Sequence, residues 1–544
     1  MSIEKISKAR LNRRSFMKAG AAGAAAVSAG SFLAPSLSAA RSISGAGSGT
    51  LAVALNGSSD IKNFNQAVGY DGGAWFLSSC IYSRLTVMDY GPNFAIHPQL
   101  ASSWEVSPDA RLFTFHLVKN AKFHDGKPVT SADVKMSLEG ILKYSGPAAA
   151  VMQHIGSIQT PDNYTVKIVM SKPNAGLLYS LSVYPWTPIL PKHLYDGTDW
   201  TTNPYNLKPI GSGPFTFSEL VHGDHVLLTR NDNYFGHRPL LDRVGAQFVP
   251  DNQTALQALQ AGQYGALGSP PDLGLISQLR ADPNVQVEAP PGPWLCYMGI
   301  NMTKGPLSKI AVRQALALGI NRADVAQKVT AGVARTATNP YVSGISWAWD
   351  PDVKYPSYDP NKASQMLDAA GFHRNGSGTR FTLNLLCDTA EGFYPNVANV
   401  LKDQLSKIGV AVNIELVDDA TFLAAAPKLQ HDLIIYALWI GPDPDQWNEL
   451  LKVANTAKGT GFRNWFGYNN PQVDQLFDHA VEYSARSTRK KDYYKIQQIV
   501  ARDLPYIGLF EAPYSFAHLK SYQGFFSQPG SISYRMDLTM VHQV

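Results

Sequence analysis

Two carboxylates lie between two tryptophans in one short segment, and this is the stretch of the sequence best suited to recognising an organic solute. Asp443 and Asp445 stand between Trp439 and Trp447. Asp443 is the nearest carboxylate able to pair with a cationic ligand group, and the indole of Trp439 supplies a rigid aromatic wall. The alternative is that Asp443 or Asp445 caps a helix predicted at 446–453. Both roles stay open for Asp443.

Other aromatic side chains stand in loop-like positions or at strand ends. Several such residues together can wall a pocket, because recognition sites are mostly apolar with a few aimed polar groups. The alternative for each is packing in the core. Trp294 has this kind of position, and the further candidates for ligand contact are Trp347, Trp349, Trp465, Tyr70 and Trp75.

Signals for catalysis are lacking in the sequence. It contains no G-x-S-x-G nucleophile motif, no phosphate-binding P-loop, no H-E-x-x-H and no C-x-x-C. The segment 222–225, His-Gly-Asp-His, can hold a metal or form a hairpin turn; the turn is favoured because two more ligands would have to come from elsewhere. The glycines of 210–215 are expected to form a tight turn before a strand. We predict no catalytic residue, no metal and no cofactor.

Cys80, Cys296 and Cys387 are the three cysteines, an odd number spread widely along 544 residues. They do not form the framework of a disulfide-rich protein. Burial as small apolar residues is favoured, and one disulfide among them stays open.

The elements that must position these residues are of the α/β type. Strands are predicted at 381–386, 410–416 and 432–439, and the last is almost wholly apolar, as expected for a strand covered on both faces. Helices are predicted between the first two strands, after Asp359-Pro360 and after Asn470-Pro471. Strand, helix and strand joined by short glycine links indicate a parallel sheet. The segment that follows Trp439 then lies beyond the carboxyl ends of the strands, where such sheets bind ligands.

The first forty residues have the pattern of a signal peptide. A basic region precedes a weakly apolar stretch rich in Ala and Gly, and Ser38-Ala39-Ala40 offers a cleavage site. Arg13 and Arg14 with Phe16 and Lys18 resemble the twin-arginine export motif. The alternatives are an ordinary secretory leader and a helical membrane anchor that stays uncut. We predict a periplasmic protein exported by the twin-arginine route, with no membrane span in the mature chain.

Charge excludes one class of partner. The chain carries 47 basic and 42 acidic residues, a net charge of +5, and the leader contributes six of the basic residues and one of the acidic ones. The mature chain is therefore close to neutral. Nucleic-acid binding needs clustered Lys and Arg on one face, so it is not expected.

Several segments, in order, resemble the family 5 extracellular solute-binding proteins, the oligopeptide and dipeptide receptors of ABC importers. The similarity covers residues 50–526, and each motif alone is less specific than their joint order. The segments are 100–109 (LASSWEVSPD), 123–126 (FHDG), 129–134 (VTSADV), 209–215 (PIGSGPF), 231–235 (NDNYF), 239–242 (PLLD), 311–322 (AVRQALALGINR), 358–363 (YDPNKA) and 469–474 (NNPQVD).

The resemblance implies a two-lobed α/β periplasmic binding protein with mixed sheets, which closes on its ligand like a flytrap. It implies lobe I at 41–290 with an inserted subdomain at about 87–205, lobe II at 291–505, and a return to lobe I at 506–544. The implied protein is a monomer that captures a peptide or similar small organic solute, with sugars or opines as alternatives, and passes it to ABC permease subunits. A secreted hydrolase on the same scaffold, or a periplasmic chaperone or sensor, is the alternative function.

One position departs from the family pattern. Peptide-binding members often place an Asp directly after W-x-G, where it pairs with the α-amino group of the peptide. Here Pro442 follows Gly441, and Asp443 best matches a later Asp-Pro of the family. The departure puts a ligand with a free amino group in doubt.

Overall fold

A computed structural model describes most of the chain after the leader. The predicted leader, Tyr70 and Pro442 lie outside the described residues. No helix in the described part is both long enough and apolar enough to cross a membrane. The described residues are 49–69, 72–89, 94–145, 152, 154–182, 187–289, 292, 294–389, 392–439, 441, 443–456, 463–527 and 538–544.

Within the described residues, the strands form two large mixed sheets, one smaller antiparallel sheet and two short antiparallel pairs. In chain order they are β1 (Thr50–Asn56), β2 (Thr86–Met88), β3 (Ile96–Pro98), β4 (Ala101–Val106), β5 (Leu112–Leu117), β6 (Ile155–Asp162), β7 (Thr165–Met170), β8 (Phe215–Val221), β9 (His225–Arg230), β10 (Arg243–Val249), β11 (Ala266–Leu267), β12 (Val285–Glu288), β13 (Trp294–Ile300), β14 (Arg335–Thr336), β15 (Phe381–Asp388), β16 (Val410–Val417), β17 (Leu433–Trp439), β18 (Tyr506–Ala512), β19 (Phe516–Leu519), β20 (Tyr522–Gln523) and β21 (His542–Gln543).

Helices cover the faces of these sheets. In chain order they are α1 (Gly72–Ile81), α2 (Ser131–Tyr144), α3 (Leu177–Ser182), α4 (Lys192–Tyr195), α5 (Asn252–Gln260), α6 (Ile276–Ala281), α7 (Ile310–Gly319), α8 (Arg322–Thr330), α9 (Pro360–Ala369), α10 (Tyr394–Lys407), α11 (Asp419–Ala425), α12 (Asn448–Leu451), α13 (Pro471–Ala480) and α14 (Arg486–Asp503).

Lobe I is built on a seven-stranded sheet in the order β12-β19-β11-β1-β10-β9-β8. Strand β1 is parallel to β10 and β11, and the outer pairs are antiparallel. An inserted subdomain, with the antiparallel sheet β4-β5-β7-β6 and helix α2, shares one continuous apolar core with this lobe. The two parts therefore form one packed unit.

Lobe II is built on a six-stranded sheet in the order β14-β18-β13-β17-β15-β16. Strands β15, β16 and β17 are parallel, as the strand-helix-strand pattern predicts, whereas β13, β14 and β18 run antiparallel to their neighbours. Successive residues of β17 enter cores on opposite faces, Ile435 in one and Ile434 in the other. The prediction of a strand covered on both faces is confirmed.

Two crossovers join the lobes. One runs from β12 to β13 and the other from β18 to β19. Because β18 pairs with β13 along its length, residues 506–512 belong to lobe II. The sequence-based boundary at 506 is thus corrected: the chain returns to lobe I only after Ala512, since the apolar run 506–512 is a strand of the lobe II sheet.

Local sequence signals set many element ends as expected. Asp359 accepts a hydrogen bond from the Lys362 N–H at the start of α9, at 2.9 Å. Gly371 and Gly409 follow α9 and α10 with φ of +87° and +81°, a conformation in which glycine avoids the steric cost of a Cβ. The histidines of 222–225 flank the turn between β8 and β9, in accord with the hairpin alternative. All three cysteines are buried, in accord with their expected role as small apolar residues.

The glycine pair before β8 has a packing reason. A Cβ at Gly211 would lie 2.0 Å from the Ile81 carbonyl oxygen, and one at Gly213 would lie 2.4 Å from that of Cys80. The turn therefore passes directly over the backbone at the end of α1, and any larger residue would push the two segments apart.

Candidate functional site

Four aromatic residues meet where the crossovers enter lobe II, and we call them the hinge aromatic cluster: Trp75, Trp294, Trp439 and Tyr514. Tyr514 is buried, and the three half-buried indoles pack against it. Trp294 and Trp439 face each other across β13 and β17, and the rings of Trp294 and Tyr514 meet edge to face at 6.2 Å. Helix α1 of lobe I contributes Trp75. The cluster thus combines side chains from both lobes and a crossover.

The crossovers themselves touch at Gly292. A Cβ at this position would lie 2.9 Å from both the Ala512 carbonyl oxygen and the Tyr514 backbone nitrogen. Only a residue without a side chain allows the two connecting segments to pass this closely, so the paths of the two segments are coupled.

Asp443 forms a buried ion pair with the protein's own Arg489. The Arg489 Nη1 and Nη2 atoms donate to the two carboxylate oxygens at 2.8 and 2.6 Å, and both side chains are almost fully buried. Burial lowers the pKa of Arg489, but the adjacent Asp443 carboxylate outweighs this and raises that pKa above its ordinary value. Asp443 also accepts a hydrogen bond from the Asp445 N–H at 3.0 Å and caps the 3₁₀ turn Pro444–Trp447. Asp443 therefore caps a helical turn, but this turn begins two residues before the helix predicted at 446–453, and the charge of Asp443 is balanced by Arg489.

Asp445 is the second acid of the same loop. Burial, followed by the charge of Asp443, raises the pKa of Asp445 to about 7. The Asn448 side-chain amide donates to its carboxylate at 3.0 Å. Asp445 is therefore a carboxyl group that titrates close to neutral pH.

Two of the predicted ligand contacts are corrected to core residues. Trp447 is fully buried, stacks on Tyr341 with ring centroids 4.0 Å apart and donates from Nε1 to the Tyr506 hydroxyl at 3.0 Å. Trp465 is also fully buried and meets Phe422 edge to face. Their indoles fill the space between the lobe II sheet and its helices, so the packing alternative holds for both.

Trp347 and Trp349 are half-buried against the same core. The indole of Trp347 lies 5.4 Å from the guanidinium groups of both Arg486 and Arg489. Trp347 therefore lies within cation–π distance of the arginine of the buried ion pair. Trp349 packs against this core.

A polar cavity of about 600 Å³ lies between the inserted subdomain and lobe II. The subdomain wall carries bases, and lobe II supplies all five acids of the lining together with one base. Burial, followed by the charges of Lys172 and Lys452, lowers the pKa of His154. The charged lining residues are Arg111, His154 and Lys172 from the subdomain, and Asp443, Asp445, Glu449, Lys452, Asp478 and Glu482 from lobe II.

Sequence reasoning found part of this arrangement. The structure brings Trp439 and Trp75 together and sets Asp443 and Asp445 on the cavity wall. Sequence reasoning missed Tyr514 as a site residue. The position of Tyr514 after Pro513, at the end of an apolar strand, was a usable signal. Among the described residues, no group of three or more His, Cys, Asp or Glu side chains is placed to hold a metal.

Comparison with known proteins identifies relatives over nearly the whole chain. The family described as bacterial extracellular solute-binding proteins, family 5 Middle, matches residues 95–459. The oligopeptide-binding protein AppA of Bacillus subtilis is 28% identical, over 87% of this chain and 88% of AppA. The probable D,D-dipeptide-binding periplasmic protein DdpA of Escherichia coli is 29% identical, over 86% and 90%.

Solved structures share the fold. DppA of Helicobacter pylori, in complex with the peptide STSA, has a TM-score of 0.74 and 26% identity, and the match covers 91% of this chain and 98% of DppA. AgaA of A. tumefaciens R10, in complex with agropinic acid, has a TM-score of 0.73 and 27% identity, with 91% and 99% covered. The two-lobed periplasmic binding-protein fold is thus confirmed.

Proposed function

The chain belongs to the family 5 bacterial extracellular solute-binding proteins, and from this premise we propose that it captures a peptide or similar small organic solute between its lobes and delivers it to an ABC importer. The protein acts outside the cytoplasm, as a monomer, and carries out no chemistry on its ligand. Relatives whose names give a peptide ligand support the peptide class, and the AgaA complex with agropinic acid keeps an opine as the alternative.

The hinge aromatic cluster carries this proposal. Its members come from both lobes, so a ligand in contact with all of them bridges lobes that move relative to each other. Contacts to both lobes are complete only in the closed arrangement, and the ligand therefore shifts the population toward closure. We place the apolar part of the solute against Trp75 and Trp439, which are only half-buried and so keep surface for it. Tyr70, close to Trp75 in sequence, remains a predicted contact.

Native mass spectrometry of protein purified from the periplasm tests the function. We expect one small solute per chain in the wild type, identified after release by denaturation. Trp439→Ala should lose most of this solute, because it removes an aromatic wall of the cleft. Trp465→Ala is the matched control for a tryptophan outside the cleft: chains that still fold should keep the solute, although stability falls. A wild-type protein that retains no solute and takes up none from a peptide mixture contradicts the proposal.

A further inference from the structure

A second contact joins the lobes, formed by residues far in sequence from both crossovers. The subdomain reaches lobe II at the turn between α13 and α14, residues 481–485. The Ala175 N–H donates to the Val481 carbonyl at 3.1 Å, and the Ser484 N–H donates to the Pro108 carbonyl at 3.2 Å. We call this the closure contact: Pro108, Ala175 and Tyr179 of the subdomain with Val481, Ser484 and Arg486 of lobe II.

At the centre of the closure contact, Tyr179 reaches into lobe II. It is 8% exposed and packs with the residues of the lobe II core, although α3 belongs to the subdomain. The Arg486 Nη2 atom donates to the Tyr179 hydroxyl. The guanidinium also lies 5.6 Å from the Tyr179 ring and 5.4 Å from that of Trp347, so it is held between aromatic faces of the two lobes.

The buried ion pair lies directly behind these residues. A Cβ at Gly176 would lie 3.6 Å from the Asp443 carboxylate carbon, which is ordinary van der Waals contact. Gly176 of the subdomain therefore lies close to Asp443, and the Arg489 Nε atom donates to the Ala480 carbonyl, directly before the 481–485 turn, at 3.0 Å.

Opposite charges add an attraction across the neighbouring cavity. Arg111 and Lys172 line the subdomain side of this cavity, and Glu482 lines its lobe II side together with the base Lys452. Such charges attract each other when the gap is narrow, and dissolved salt weakens the attraction. The lobes are thus drawn together by groups that belong to the protein alone.

We propose that the closure contact stabilises the closed arrangement without ligand, and that Tyr179 and Arg486 are positioning residues that set solute affinity through it. The link to affinity rests on the proposed function. A ligand that binds the closed form has an apparent dissociation constant equal to the intrinsic one divided by the closed fraction. Each contact that favours closure therefore tightens binding without touching the solute.

Pulsed electron spin resonance on ligand-free protein tests this proposal. Spin labels are attached at Gln159→Cys in the subdomain and Lys495→Cys in lobe II, both exposed positions, while the three native cysteines are buried. Bound solute is removed by unfolding in guanidinium and refolding. The variants are Tyr179→Phe and Arg486→Gln, with Arg502→Gln as control, because Arg502 lies on the same helix but is exposed and pairs within lobe II with Asp503.

We expect a short interlobe distance to dominate in the wild type and in Arg502→Gln. Both closure-contact variants should raise the ratio of open to closed molecules about tenfold, since each loses a hydrogen bond with a charged donor. In the wild type, 1 M salt should also increase the open fraction. Identical distance distributions in all four proteins would overturn the proposal, and so would a shift in the control equal to that in the variants.

The result is independent of solute binding, because no ligand is present. A distance shift in a protein that retains no solute contradicts the proposed function and leaves the closure contact standing. Unchanged distances in a protein that does bind solute contradict the closure contact alone. Melting temperatures of Tyr179→Phe and the wild type show whether the variant keeps its fold.

Discussion

At the scale of single residues, the Asp443–Arg489 pair shows how a carboxylate suited to ligand recognition is used for structure instead. A buried charge that loses its partner is strongly destabilising, whereas an exposed pair contributes little. Both members of this pair are almost fully buried. The acid nearest to Trp439 is therefore committed to the stability of lobe II.

Asp443→Asn should lower the free energy of unfolding by about 3–5 kcal/mol, because Arg489 keeps its charge in a buried position. The amide oxygen can still cap the 3₁₀ turn, so the change isolates the ion pair. Denaturant titration of ligand-free protein measures the effect. Asp232→Asn, which changes an exposed carboxylate paired with Arg230, is the control and should change the midpoint much less than Asp443→Asn does. Equal midpoints for wild type and Asp443→Asn would show that the pair contributes no net stability.

Asp445 makes stability depend on pH. Its pKa is raised to about 7 by burial and by Asp443, whereas an unfolded Asp titrates near about 3.9. A carboxyl group with a raised folded-state pKa favours the folded state at low pH, and this advantage is lost as pH rises from about 4 through about 7. Asp445→Asn should remove the part of the pH-dependent fall in the free energy of unfolding that Asp445 causes.

Urea midpoints at pH 5 and pH 8 measure the effect in wild type and Asp445→Asn. The urea midpoint should fall less between pH 5 and pH 8 in Asp445→Asn than in the wild type. The comparison isolates Asp445 from Glu449, whose pKa burial also raises and which both proteins retain. A fall of the same size in both proteins contradicts the assignment.

At the scale of elements, the crossovers decide how the lobes move. Gly292 lies against the backbone of the other crossover, which cannot give way as a flexible side chain can. Because the two crossovers touch at Gly292, we expect both to bend together when the lobes move.

Gly292→Ala should destabilise the protein by about 1–3 kcal/mol, as expected when a methyl group is forced into a packed position. It should also change the open fraction measured with the interlobe spin labels. Gly274→Ala is the control, because nothing lies within 4 Å of its Cβ and its φ is not positive. Thermal unfolding follows both variants. A stable Gly292→Ala with unchanged distances would mean that the crossovers have room to separate.

At the scale of the whole molecule, closure on the ligand is the central expectation. The two lobes have separate sheets, and the crossovers, the hinge aromatic cluster and the closure contact connect them. Small-angle scattering of ligand-free protein and of the same protein with its co-purified solute should show a smaller radius of gyration in the complex. An unchanged radius with solute demonstrably bound argues against a hinge motion.

Export by the twin-arginine route is the second expectation at this scale. Changing both Arg13 and Arg14 to Lys should retain the precursor inside the cell, which fractionation and immunoblotting detect. Normal export of the double variant points to the general secretory route.

The sequence by itself determined the family, the α/β class and many element ends. Helix caps such as Asp359 and the apolar alternation of β16 act over a few neighbouring residues, so they can be read locally. The order of the family motifs likewise needs no coordinates. These signals predicted the strand that ends at Trp439 and the hairpin turn at 222–225.

Only the tertiary structure decided which of the candidate residues are buried in the core and which are half-buried between the lobes. Trp439 and Trp447 lie eight positions apart, yet one joins the hinge aromatic cluster and the other stacks on Tyr341 in the core. Asp443 finds its partner in Arg489, on a distant helix. Burial and charge partners depend on contacts between segments far apart in sequence, and no local pattern records which of those segments will meet.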